Sequence, residues 1–215
     1  YGGNYKSRGP QYVRGIQEGN GIPKDSDMWV SYSMNKEDIW VAHVPVPVKT
    51  VATAHADDDF AQYQKLGDLK TWNIYSPLMA PVSLRQEWLE LKDEDPFDYA
   101  CVERKIPSSS YLKASFDVQA AQTRNGSLQI EFLDEKGIAC TRIELNKEGM
   151  IRVKNGARYG NVMPYQADQT YRFEATLDTQ HRQLNLTVST LGADGKALQS
   201  KSTKRIFYAP VHQIE

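Results

Sequence analysis

Among the first 48 residues, Arg8, Arg14 and Lys36 are the cations whose types suit recognition of an anionic ligand. A guanidinium presents a planar fork of N–H donors that matches a carboxylate, so a bound acid would call for such groups. Tyr12 stands between the two arginines and is taken with them as a candidate substrate contact. The competing account pairs Arg14 with Glu18 or Glu37 as ordinary surface charge, which contributes little to stability. Glu37 and Asp38 are adjacent, and neighbours in a strand point to opposite faces, so they cannot form an acid/base pair with each other. Either would need a second carboxylate from elsewhere to reach the separations that glycoside hydrolysis uses; solvation in a turn is the simpler explanation.

Asp93, Glu94, Asp95 and Asp98 form the densest acidic cluster. Calcium takes six to eight oxygen ligands, and Asp93, Asp95 and Asp98 would supply two or three of them as a structural site. No EF-hand spacing is present, and Pro96 marks a turn in which acids also simply face water. No other cofactor is indicated. The histidines His43, His55, His181 and His212 are scattered without metal-ligand spacing. Tyr159, Tyr165 and Trp88 are not placed by strand alternation, and are either flat platforms for a sugar ring or core and loop anchors.

These residues must be positioned by strands. Leu112, Ala114, Phe116 and Val118 share one parity, as do Leu128, Ile130 and Phe132, and Ile151 and Val153. Tyr171, Phe173, Ala175 and Leu177, then Leu184, Leu186 and Val188, continue the pattern. Each run has one dry face, and turn signals such as Asn125-Gly126, Asn155-Gly156 and Asp194-Gly195 separate them. Strands of this kind predict an all-β, two-sheet antiparallel sandwich from about Leu84 to the end. The first 48 residues carry three strand-like runs, at 11–16, 28–33 and 39–44, with Trp29, Tyr32, Trp40, Met28 and Ile39 placing large groups on both faces. Such strands are expected to be covered on both sides. Pro45-Val46-Pro47-Val48 reads as an exit linker, because proline cannot donate to a central ladder. Residues 49–83 form a connector, in which Asp57 to Leu66 is expected to be a short helix started by its acids and stopped by Gly67.

Composition narrows the function. A net charge of −1 with mixed signs provides no footprint for nucleic acid, and no apolar run approaches the length of a bilayer-spanning helix. No signal segment opens the chain, so a secreted parent would carry its signal peptide upstream of Tyr1. Alternation turns Cys140 away from Ile143 and Leu145, and Cys101 lies with Glu103 and Lys105, so both thiols are expected outside the core. A bridge between them in an oxidising compartment and two unpaired thiols both stay open. Three strands cannot bury a sizeable core, and Val211 to Glu215 reads as the middle of a strand; the chain is expected to be a piece of a longer protein.

The strings Lys6-Ser7-Arg8-Gly9-Pro10-Gln11-Tyr12-Val13-Arg14-Gly15 and Tyr32 to Val41 resemble the final propeller blade of bacterial sialidase-like (BNR-type) proteins. Trp72-Asn73-Ile74-Tyr75-Ser76-Pro77 and Asp93 to Ala100 resemble the start of the β-sandwich that follows such propellers, and Tyr171 to Val188 is similar to the closing hairpin of concanavalin-like jelly rolls. The resemblance implies a propeller-blade-like meander at 1–48 before a jelly-roll sandwich at 84–215. It also implies a secreted or periplasmic carbohydrate-active protein whose partners are a polysaccharide or glycan and the rest of the propeller. The Asp-box Ser-x-Asp-x-Gly-x-x-Trp of many sialidase propellers is absent, so a lyase or glycoside hydrolase acting on uronic-acid glycans fits as well. Two classes of function follow. One is the carboxyl-terminal part of a glycan-cleaving propeller enzyme, with the sandwich as an accessory and the fragment alone inactive. The other is a non-catalytic carbohydrate-binding or structural module.

Overall fold

The chain folds into antiparallel strands with almost no helix, in a computed structural model that describes residues 10–16, 28–34, 38–44, 55–96 and 99–215. It divides into two units, Tyr1–Lys105 and Ile106–Glu215.

In the first unit, β1 (Pro10–Ile16), β2 (Met28–Met34) and β3 (Asp38–Val44) form a three-stranded meander in that order. The β1–β2 register slips between Gln11 and Arg14, where three steps on β1 face two on β2, and Tyr12 adopts φ +53° within this bulge. The expected cover on both sides is not found among the described residues. Ile39 is 84% exposed and Trp40 43%, because three strands supply no second layer of their own. The expected exit linker, Pro45 to Val48, lies outside the described residues.

Asp57 to Leu66 is not an α-helix. It forms two 3₁₀ turns, Phe60–Gln62 and Leu66–Asp68, separated by Tyr63 in an extended conformation. The Asp59 carboxylate accepts from the Ala61 N–H, and that of Asp68 from the N–H groups of Gln64 and Lys65, so the acids hold turns rather than feed a helix. The Phe60 ring packs against Trp72, 5.6 Å between centroids. Four short strands follow, β4 (Trp72–Tyr75), β5 (Val82–Arg85), β6 (Trp88–Leu91) and β7 (Cys101–Arg104), paired as β4–β7 and β5–β6. Arg104 donates to Asp58 at 2.6 Å, tying β7 to the segment before the 3₁₀ turns.

The second unit is the predicted antiparallel sandwich. One sheet has the order β12-β11-β10-β9, from β9 (Leu128–Leu133), β10 (Ala139–Leu145), β11 (Met150–Asn155) and β12 (Arg158–Pro164). The other has the order β15-β14-β13-β8, from β8 (Tyr111–Gln119), β13 (Thr170–Asp178), β14 (Gln183–Leu191) and β15 (Ala197–Ile206). Their dry parities meet. Ile143, Leu145, Ile151 and Val153 of the first sheet share one core with Phe173, Leu177, Leu184 and Val188 of the second. Phe173 is fully buried and stacks on Phe116 across the β13–β8 pair, with centroids 5.4 Å apart.

Turn chemistry sets the register of the first sheet. Between β10 and β11, the Asn146 side chain accepts from the N–H groups of Glu148 and Met150, and Gly149 takes φ +74°. The buried Tyr165 hydroxyl donates to the Asn146 carbonyl at 2.8 Å and holds the turn from the far side. Between β11 and β12, the two central residues are Gly156 and Ala157, with positive φ at the glycine alone, the II′ pattern suited to twisted strands. Val211 to Glu215 is not a strand; it contributes one bridge, Ile214 to Ser109.

Cys140 overturns the parity expectation: it is fully buried, while Cys101 is exposed. The β10–β9 register shifts between Ala139 and Thr141, so Cys140 is the extra residue of a bulge and turns inward against its neighbours' alternation. Cys140 is a free, buried thiol. Burial pushes its pKa up to about 12.

Two outcomes follow. Phe173→Ala should lower unfolding free energy by about 3–5 kcal/mol, the range for a buried aromatic truncated to a cavity. Urea melts followed by far-UV circular dichroism would read this, and a loss below about 1 kcal/mol would mean the site collapses or is not core. For Cys140, the folded state holds the thiol proton more tightly than the unfolded chain. Its contribution is therefore complete below an unfolded pKa of about 8.5 and declines as pH rises toward 12. The stability difference between wild type and Cys140→Ala should shrink between pH 8 and pH roughly 10.5, and a flat difference would contradict the burial.

Candidate functional site

The sequence-derived candidates divide by position. Arg8, Lys36, Glu37 and Asp98 lie outside the described residues. Tyr12 and Arg14 are both exposed on β1, Arg14 opposite Ser31 of β2, and Asp38 opens β3 opposite Met34. Asp93 accepts from the N–H of Asp95 at 2.9 Å, an Asx turn. Among the described residues no group of three or more His, Cys, Asp and Glu converges as metal ligands. Of the three aromatics considered as sugar platforms, Tyr165 is a buried turn anchor and Trp88 is half-buried on β6 opposite Arg85. Tyr159 alone belongs to a cluster of charged groups.

That cluster lies on the outer face of the β9–β12 sheet. Inward residues Ile143, Leu145, Ile151 and Val153 force the alternate residues Arg142, Glu144, Arg152 and Lys154 outward. Register then brings partners together: Glu131 opposite Arg142, Glu144 opposite Arg152, and Tyr159 opposite Lys154. Arg142 donates to Glu131 at 2.6 Å, and Arg152 to Glu144 at 2.7 Å. The Arg152 guanidinium carbon lies 4.4 Å from the centre of the Tyr159 ring, and the Lys154 ammonium 4.6 Å from the same centre. Lys154 is also 5.5 Å from the ring centre of Tyr208. Tyr208 reaches this end of the sheet because its backbone N–H donates to the Cys140 carbonyl at the bulge.

The electrostatics of the face are those of paired arginines beside two tyrosines. Burial disfavours the charged form of Arg142, but hydrogen bonds from its guanidinium to Glu131 and Tyr159 outweigh it and raise its pKa. The hydrogen bond to Glu144 is the chief cause that raises Arg152. Burial, and then the Glu131 charge, raise Tyr208, which therefore stays neutral at physiological pH. Two cations already share the Tyr159 ring, so it acts as a cation holder more than as a bare platform for a sugar. Sequence reading missed Glu131, Arg142, Arg152, Lys154 and Tyr208. The alternation that assigns the dry face assigns these four strand residues to the wet one, so the signal was present for all but Tyr208.

The model of the family described as "Sialidase-like, CBM domain" matches residues 72–215. A solved structure described as "Sialidase" shares 57% identity with this chain at a TM-score of 0.82, over 100% of this chain and 19% of that one. This chain thus spans less than a fifth of that relative. No curated protein matches it. Among the described residues no helix is long and apolar enough to cross a membrane. With its all-β sandwich and a family match over more than half its length, the chain belongs to the sialidase-like CBM-domain family.

Proposed function

We propose that this chain is a glycan-binding, non-catalytic portion of a larger sialidase-like protein. The observation that carries the reading is the outer face of the β9–β12 sheet. There Tyr159 and Tyr208 stand with Arg142, Arg152 and Lys154 on a rigid scaffold, a set of aromatic and hydrogen-bonding groups suited to sugars. The family's description as a CBM, a carbohydrate-binding module, supports it.

Residues 72–215 are the module in this reading, a variant of the concanavalin-like jelly roll, and 10–44 are the closing blade of a propeller. The exposed Ile39, Trp40 and Val41 of β3 are apolar groups of the kind a blade buries against its neighbour. Arg8, Tyr12, Arg14, Lys36, Glu37 and Asp38 would then serve the propeller rather than the module. Cleavage of the glycan, by hydrolysis or elimination, belongs to residues outside this chain, and a sialidase as relative supports a secreted or periplasmic setting.

The longer protein and a version truncated before residue 72 are to be compared on a polymeric glycan and on a small chromogenic glycoside. The expected result is a raised KM on the polymer with kcat on the small substrate unchanged, because a binding module concentrates substrate without touching the reacting bond. Equal loss on both substrates would assign the sandwich to the catalytic machinery or to stability of the propeller.

A further inference from the structure

The outer face of the β9–β12 sheet carries three cations and two carboxylates, and the two arginines each hold one carboxylate. Arg142 is engaged with Glu131 and Arg152 with Glu144. Lys154 is left over. Among the described residues no carboxylate pairs with it, and its one hydrogen bond, to the Ala157 carbonyl, is long at 3.4 Å. Yet its ammonium is held in place: Tyr159 lies opposite it in the β11–β12 register, and the Tyr159 and Tyr208 rings lie 4.6 Å and 5.5 Å from it.

Such an arrangement is costly for a cation with nothing to receive. Half-burial removes part of its water, and ring quadrupoles recover some of that loss without neutralising the charge. Two ammonium protons stay free to donate, and a charge-assisted hydrogen bond is the strong kind. The neighbourhood does not compete for them. Tyr208 stays protonated, because burial and the Glu131 charge raise its pKa, and Glu131 and Glu144 are occupied by arginines.

The geometry points to Lys154 as the recognition cation for the anionic group, carboxylate or sulfate, of an acidic glycan bound over Tyr159 and Tyr208 on the β9–β12 face. This rests on the glycan-binding reading above and adds a chemical class to it. It also accounts for a Tyr159 ring that carries cations instead of lying bare: recognition here is by charge, with the phenols fixing the charge in position. A neutral sugar would gain little from this site, whereas an acidic one would supply the missing counter-charge.

The test is calorimetric titration of the full chain with sialyllactose, an oligogalacturonate, sulfated lactose and plain lactose, repeated with Lys154→Met. Methionine keeps the length of the apolar stem and removes the charge. The expected result is binding of at least one acidic ligand roughly tenfold or more tighter than lactose, weakened by added salt, and lost to a similar extent in Lys154→Met. The sialyl, uronate and sulfate arms tell carboxylate from sulfate. Lys113→Met, an exposed lysine on β8 of the other sheet, should leave binding unchanged, and thermal melts of both variants should match wild type. Lactose binding as tightly as its acidic counterparts would overturn the role of Lys154 and leave the glycan-binding reading standing. So would undiminished acidic binding by a folded Lys154→Met. Binding of none of the four ligands would overturn both.

Discussion

A sheet with one apolar face can be buried only against another such face, and the second unit is the result of meeting that constraint twice. Phe173 is at its centre, fully buried in the shared core and stacked on Phe116 of the neighbouring strand. Because side chains alternate along a strand, placing Ile143, Leu145, Ile151 and Val153 in the core leaves no choice about Arg142, Glu144, Arg152 and Lys154. A one-residue slip of either β10 or β11 would put two of these charged groups into the core. Burial of one face thus assembles the charged cluster on the other.

The departures from regular pairing have local consequences that matter for that cluster. At Cys140 one extra residue in β10 turns a thiol inward, and the same backbone position accepts the hydrogen bond that anchors Tyr208. A second irregularity, between Ile151 and Arg152 in the β11–β12 register, puts Val162 and Met163 both in the core. On its other side it restores a one-to-one pairing in which Lys154 faces Tyr159. Bulges commonly re-aim side chains near the ends of sheets, and here they bring two tyrosines to one lysine.

The first unit depends on a different kind of contact. Beyond the three-stranded meander, its ladders β4–β7 and β5–β6 are two strands wide, too small to be stable by burial alone, and the Arg104–Asp58 pair with side chains 13% and 11% exposed links distant segments. Such a buried pair is more informative about how the segments are held than about net stability, since desolvation offsets much of its attraction. The aromatic contacts of Phe60 with Tyr63 and Trp72 supply the apolar part of the same junction.

Much of the sandwich was legible because it rests on local rules. Period-two runs such as Tyr171 to Leu177, and turn residues such as Asn155-Gly156, specify strand, face and hairpin within a few residues. The helix expected at Asp57 to Leu66 failed because the Asp59 and Asp68 carboxylates accept from backbone N–H groups and hold short 3₁₀ turns instead. The candidate site was half legible. Parity alone places Glu131, Arg142, Arg152 and Lys154 on the wet face, but a list of outward charges does not say which cation lacks a partner. The sequence by itself determined an all-β chain, the strands of its sandwich and which of their side chains face water. Only the tertiary structure decided that Cys140 is core, that Tyr208 returns from 54 residues beyond Lys154 to lie beside it, and that two of three cations are neutralised. Alternation is a property of neighbouring residues, whereas bulges, register and chain return are fixed by contacts between residues far apart in sequence.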